Sequence, residues 1–535
     1  MAQTSVDFIV VGAGSAGCVL ANRLSENGRY SVALLEAGPR DSNPWIHLPI
    51  GYGKTMWDKR VNWAFYTEPD PNMNNRRIYW PRGKVLGGCS AINGLIAIRG
   101  QREDYDRWEK SGCPGWSWDS VLPYFRKLES NSEFRDDQLH GAYGPLSISS
   151  IPVKHELIEA AIGSANRLGV PRTKDFNGAS QEGVGYYQLT TRRGLRASAA
   201  VAYLKPARKR ANLRIITDAQ ATGIVFDGAK ASGVRYRKDG KEVALDARKG
   251  VILSAGALQS PQLLMLSGIG PATHLKEHGI GVRLDRPAVG SNLQDHLQMR
   301  LIYKCTKPIT TNDQLRSIVG RVKIGLQWLL FRGGPLAIGI NQGGLFTTVM
   351  KGESESPDIQ FHIATLSADM AGAKPHPFPG FTLSVCQLRP TSRGHVALAS
   401  ADPLAAPLMH SNYLATDFDR RCATRAIQFA RALATTEPLK SYVAEEMLPG
   451  PAARTDEDLL AFARNNGATI FHPSGTCRMG TDPDAVVDPR LKVRGVGGLW
   501  VVDCSVMPTL VSGNTNLPVI MIAEKASEMI LEDAR

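Results

Sequence analysis

At 535 residues the chain is longer than one hydrophobic core usually serves, so two or more domains are expected. Apolar residues at 43% and charged residues at 21% are ordinary for a globular protein, and no run approaches the roughly 18 consecutive apolar residues of a membrane-spanning helix. The net charge of +13 raises the question of nucleic acid or a membrane surface as partner, but no Lys/Arg cluster coincides with a nucleic-acid motif, so no nucleic-acid partner is expected.

The first predicted element spans Asp7 to Gly38, DFIVVGAGSAGCVLANRLSENGRYSVALLEAG. Phe8 to Val11 read as a strand, and Gly12, Gly14 and Gly17 follow in the spacing G-x-G-x-x-G at the start of a helix. Gly12 suits a tight turn, Gly14 close approach of a pyrophosphate, and Gly17 packing of helix on strand. Unpaired N–H groups at the helix start favour a phosphate. Glu36 ends a second strand nineteen residues past Gly17, where a carboxylate accepts from a ribose diol and repels a 2′-phosphate. The expected ligand is FAD or NAD and not NADP, with Ser15, Ala16 and Ala37 beside it. Without the strand and the acid in place, three glycines would be plain turn chemistry.

The opening MAQTSVD lacks a basic n-region, so no secretory signal is expected; the expected location is cytoplasmic, with peripheral membrane association left open. In VNWAFYTEPD the aromatic residues Trp63, Phe65 and Tyr66 read as core. PRGKVLGGCSAINGLIAIRG, residues 81–100, gives up side chains at Gly83, Gly87 and Gly88, which points to a second pass along the cofactor. RKRAN near Arg208 to Arg210 reads as a solvated helix end. LRIIT (213–217), GVRYR (233–237) and GVILS (250–254) read as strands, the last dense enough for a parallel sheet. Beyond residue 300 the expected elements are a helix near Arg316 to Phe331 and strands in DIQFHIA and FTLSVCQL. The eight cysteines form no C-x-x-C pair and read as free thiols, with no metal site.

The N-terminal unit, GKVLGGCSAIN, GALQSPQLLMLSGIGP (256–271), VGSNLQDH (289–296), FHPSGTCRMG and SGNTNLP together resemble the glucose-methanol-choline (GMC) flavin oxidoreductase family, in family order along most of the chain. The resemblance implies an α/β fold: a Rossmann-like FAD-binding domain (1–150, 195–300 and 465–535) interleaved with an α+β substrate-binding domain on an antiparallel sheet (151–194 and 301–464). It implies FAD contacts from Val85, Gly87, Gly88, Ser90, Asn93, Gly94, Ala221, Asp503, Asn514 and Thr515. It makes His472 the general base of an alcohol oxidation and Asn516 its hydrogen-bond partner. Without the resemblance, Asn516 is a helix N-cap and His472 a histidine bonded to its own turn. His296 reads as structural. Ile92 stands where some members carry a flavin-linked histidine, so the FAD is expected to be non-covalent. The expected substrate is a primary alcohol, a sugar or polyol, or a polyether, and the acceptor is oxygen, a quinone or a dye. Alternatives of the same fold are a hydroxynitrile lyase and a photodecarboxylase. Substrate and oligomeric state stay open.

Overall fold

The computed structural model describes residues 5–135, 137–370 and 372–535. Its first sheet grows from β1 (Ser5–Val11), which turns through Gly12 into α1 (Ser15–Ser25) and returns as β2 (Val32–Leu35). To these the chain adds β3 (Leu213–Ile216), β4 (Gln220–Asp227), β5 (Lys230–Lys238) and β6 (Lys241–Leu253). The strand order is β3-β2-β1-β6-β5-β4, with Leu499–Val501 pairing on β6 as β7.

β6 changes character along its length. Its first half pairs antiparallel with β5 and is largely exposed; Val251, Ile252 and Leu253 then run parallel between β1 and β7 and are buried. That is the dense GVILS run, apolar without alternation because both faces are covered. The register levels the strand ends: Val11 lies opposite Leu35 on one side and Leu253 on the other, and Leu253 faces Val501. The turns at Gly12, Glu36, Ser254 and Val502 therefore open on the same carboxyl edge, where parallel sheets bind ligands.

The second sheet is antiparallel, in the order Val443–Leu448, Leu297–Cys305, Gly380–Gln387, Ile359–Ala364, Asn341–Thr347, Gly183–Tyr186. Both runs expected as strands beyond residue 300 are in it, each buried at every residue. The helix Asp417–Thr435 shares a core with this sheet through Ala426, Ile427 and Leu433 against Phe361 and Val385. The expected helix near Arg316 forms as α2 (Ile318–Phe331), and the chain ends in α3 (Asn516–Asp533), largely buried beside α1. Arg23 of α1 pairs with the buried Glu524 of α3 at 2.8 Å.

Three local expectations change. Of the three aromatics read as core, Phe65 is buried, Trp63 is half-buried and Tyr66 is 48% exposed. Phe65, Met73, Ile78 and Trp80 pack in the core of the second sheet, although they precede residue 150, because the Phe65–Tyr66/Tyr79–Trp80 pair folds against it. Arg210 is not merely solvated: its guanidinium donates to Asn22 O at 2.5 Å and Ser25 Oγ at 3.0 Å, satisfying the C-terminal turn of α1. All eight cysteines are free.

Candidate active site

A cavity of about 260 Å³ lies where the two sheets meet. Its wall includes Gly14, Ser15, Ala16, Gly88, Asn93, Gly94, Asp503, Asn514, Thr515, Asn516 and His472, all singled out from the sequence. A smaller space of about 90 Å³ is lined by Gly12, Glu36, Ala37 and Ala221. Gly83, Ser254 and Ala255 border both, so one groove runs from Glu36 to His472.

The glycines shape that groove sterically. Gly12 has φ +99°, and a Cβ there would lie 2.5 Å from Ser254 O; a Cβ on Gly17 would lie 1.8 Å from Gly12 O. A Cβ on Gly88 would lie 2.6 Å from the Cα of Gly14, so the two Gly-rich turns pack backbone to backbone. Val85, Gly87 and Ser90 do not line the cavity. Val85 sits in a small apolar cluster with Ile46 and Ile92, Gly87 N donates to Ala13 O at 2.8 Å, and Ser90 Oγ donates to Gly87 O and accepts from Ala199 N. They hold the loop that forms the wall.

The groove suits a dinucleotide. Neither α1 nor α3 has a side-chain cap, which leaves N–H groups of both first turns without that partner at the cavity wall. Glu36 accepts from Ala13 N and Gly38 N, both at 2.9 Å. Burial pushes its pKa up to about 7 against the lowering effect of those bonds. Asp503 accepts from Gly256 N at 2.8 Å, Ser260 Oγ at 2.6 Å and Ser505 N at 2.8 Å, so its carboxylate anchors the helix Gly256–Leu266 to the strand end.

His472 is buried, and its main chain is pinned by Asp295, whose Oδ1 accepts from His472 N at 2.8 Å. Tyr413 OH and Thr469 Oγ1 donate to the other oxygen of Asp295. The ring faces His296, Nδ1 to Nδ1 at 3.0 Å, with the two planes at 88°. His296 Nε2 lies 3.1 Å from Leu388 O, an atom that only accepts, so the proton of His296 is on Nε2. Burial lowers the His296 pKa to about 4, leaving its Nδ1 as an acceptor. His472 must then donate from Nδ1, which leaves its Nε2 unprotonated with a lone pair that accepts. Burial first, then His296, His362 and Arg82, holds the His472 pKa well below the ordinary 6.5.

The second polar residue is a correction. The resemblance pairs Asn516 with His472, but it is Asn514 Nδ2 that lies 3.4 Å from His472 Nε2. Gln360 Nε2 donates to Asn514 Oδ1 at 3.1 Å and so turns the amide N–H₂ toward the histidine. Asn516 Oδ1 instead accepts from Ser15 Oγ at 2.8 Å, tying the start of α3 to the start of α1. Position along the NTN run carries no signal of this, because Gln360 comes from the other sheet.

Other wall residues went unremarked in the sequence. His296 stood in a motif but read as structural. His362, from the Ile359–Ala364 strand, lines the cavity without a partner for either ring nitrogen, and burial lowers its pKa to about 3. Arg82 and Arg300 also line it; Arg82 donates to Phe471 O at 2.7 Å, and Arg300 reaches Ala368 O at 3.4 Å.

Comparison with known proteins bears on this geometry. Family models described as GMC oxidoreductase match residues 6–298 and 390–523. The chain is 44% identical to an alcohol dehydrogenase [acceptor] of Pseudomonas putida, over 98% of this chain and 95% of that one. It is 42% identical to the mitochondrial choline dehydrogenase of Mus musculus, over 98% and 89%. Among solved structures, pyridoxine 4-oxidase from Mesorbium loti superposes with a TM-score of 0.88 at 31% identity, covering 98% of both chains.

Glu36→Gln should lower cofactor retention much more than turnover per bound cofactor, because one of the two backbone N–H groups would then face an amide N–H₂ far from His472. Equilibrium dialysis of the cofactor, with turnover normalised to occupancy, checks this; an equal loss in fully loaded protein would contradict it.

Proposed function

The chain belongs to the GMC oxidoreductase family, with an alcohol dehydrogenase among its relatives and an FAD-dependent oxidoreductase among its structural neighbours, and on that premise we propose that it oxidises an uncharged primary alcohol, with His472 as general base and Asn514 as hydrogen-bond donor. The observation that carries the reading is the pair of atoms facing each other at 3.4 Å, the unprotonated Nε2 of His472 and an N–H of Asn514. A hydroxyl oxygen beside both can give its proton to the first and accept from the second.

Bound FAD supplies the acceptor for the hydride that leaves the alcohol carbon. The chain's part is to take the hydroxyl proton as that carbon is oxidised. His472 is prepared for it because His296 holds its Nδ1 proton and burial keeps the ring uncharged. Asn514 stabilises the oxygen as negative charge grows on it. The N–H groups at the start of α1, with Gly14, would hold the pyrophosphate, Glu36 the ribose and Ala221 the adenine. Asn516, Thr515 and the start of α3 present positive potential toward the flavin end of the groove. Ile92 lines the cavity with an aliphatic side chain that offers no atom for a flavin bond, which supports non-covalent FAD released on denaturation.

The wall also speaks to substrate. Among the described residues Asp503 is its one carboxylate, already engaged by three donors, while Arg82 and Arg300 contribute guanidinium groups. A quaternary ammonium there would meet cations and no free anion. The likeness to a choline dehydrogenase therefore does not carry choline to this cavity.

His472→Ala should slow flavin reduction by an alcohol on the order of 10²- to 10⁴-fold, the usual worth of a positioned base. Asn514→Ala should cost about 10- to 10²-fold, as one of several terms on the developing oxygen, and Asn516→Ala should chiefly weaken FAD retention. The His472 pKa is lowered, so the base form persists into acid: wild-type reduction should be level through neutral pH, falling only below the ordinary value of 6.5, and this limb should vanish in His472→Ala. Anaerobic stopped-flow measurement with occupancy checked decides each point. A larger rate loss for Asn516→Ala than for Asn514→Ala would reverse the assignment, and absence of flavin bleaching by any alcohol would favour a lyase or photodecarboxylase. In the same assay 1-butanol should give kcat/KM at least about 10² above choline, as expected for an uncompensated cation a few ångströms from guanidinium groups; a preference for choline would contradict the reading of Arg300.

A further inference from the structure

α2 is the most exposed apolar element of the described chain. Its 14 residues extend about 21 Å, too short to cross the roughly 30 Å of a bilayer core. No helix among the described residues is long and apolar enough to do so. Yet Ile318, Val319, Val322, Leu326, Leu329 and Leu330 are each between 50 and 78% exposed, and Ile324 is the one buried residue of the helix. At about 100° per residue those six fall within an arc of about 120°, one continuous aliphatic stripe. A helix of a folded monomer normally turns such a stripe inward.

The charges around the stripe are of one sign. From Gln314 to Gly334 there are four cations, Arg316, Arg321, Lys323 and Arg332, and no acidic residue. Arg321 borders one edge of the stripe and Lys323 the other, both exposed. Trp328 Nε1 donates to Gly194 O at 3.1 Å, which joins α2 to the turn carrying the exposed Arg192 and Arg193. That turn borders a basic cleft of about 770 Å³ whose wall also includes Arg40, Lys205 and Arg208, against the single acidic Asp41. An aliphatic stripe with long cations on both edges matches a surface that is apolar within and anionic at its boundary: the aliphatic residues enter the acyl region and the cations reach the headgroups.

We propose that α2 is an interfacial helix that docks this protein on an anionic lipid bilayer. Both ends of its segment are tied to the cavity wall. Past Phe331 the chain turns through Pro335–Ala337 to Ile340 and Asn341, which line the cavity; before α2, Arg316 donates to Pro377 O at 2.8 Å, in the stretch that follows the wall residues Met370 and Gly372. Met370 is 53% exposed, so the cavity reaches the surface there. Docking through α2 would set this rim beside the bilayer, a source of apolar alcohols. The docking itself rests on the helix and its charges, not on the alcohol reading.

The test is flotation of the FAD-loaded protein with phosphatidylcholine vesicles and with vesicles of equimolar phosphatidylglycerol and phosphatidylcholine. Wild type should float with the anionic vesicles, weakly with phosphatidylcholine alone, and be released by high salt. Leu326→Asp with Leu330→Asp should reduce partitioning at least about tenfold, and Arg321→Gln with Lys323→Gln should remove much of the preference for phosphatidylglycerol. Both double variants should keep FAD absorbance and turnover of a water-soluble alcohol. Equal partitioning of wild type and the aspartate variant would overturn the proposal, as would indifference to lipid charge. So would a wild-type dimer that the aspartate substitutions convert to a monomer while neither binds vesicles, since a second copy of the chain would then be the occupant of the stripe.

Discussion

Two buried imidazoles share one hydrogen bond at the centre of this site, His296 Nδ1 to His472 Nδ1 across 3.0 Å, and the direction of that bond decides what His472 can do. Leu388 O accepts on the far side of His296, so the proton order along the chain Leu388–His296–His472 is fixed and the last atom, His472 Nε2, is left bare. Burial makes the arrangement hold at neutral pH, because a proton added to either ring would be a charge without water around it. Asp295 completes the constraint by holding the backbone of His472, at a point where the preceding Phe471 takes φ +74°.

The two sheets contribute in different ways. The first aligns the ends of β1, β2, β6 and β7, so that Gly12, Glu36, Ser254 and Asp503 meet at one edge. There the backbone does the work, and side chains larger than hydrogen would collide with carbonyls at Gly12 and Gly17. The second supplies Gln360 and His362 from Ile359–Ala364 and Arg300 from Leu297–Cys305, the two strands that flank Gly380–Gln387. The proposed catalytic pair rests on both, since Asn514, just ahead of α3, takes its amide orientation from Gln360 across the boundary.

This division explains what could be read from the sequence. The cofactor edge was legible because its steric demands are local: glycines at fixed spacing and an acid at a strand end. His472 was legible through its motif, and so was the existence of the strands around Phe361 and Val385. The choice between Asn514 and Asn516 was not, because the two lie one turn-residue apart and the deciding bonds come from Gln360 and Ser15, distant in the chain. His296 was visible but its use was hidden, since that depends on the carbonyl of Leu388. His362 gave no signal because its strand is buried on both faces, so no alternation marks the side turned to the cavity. The exposed stripe of α2 was equally hidden: its composition is that of a core helix, and what differs is that among the described residues this aliphatic face stays exposed.

The measurement that bears most directly on this account is ¹⁵N NMR of the ring nitrogens of His472, in protein labelled at histidine and assigned by difference from His472→Gln, at pH 7. The expected result is an uncharged ring with its proton on Nδ1 and an unprotonated Nε2. An imidazolium, or a neutral ring protonated at Nε2, would contradict it, because the alcohol would then meet a donor where the mechanism needs a base.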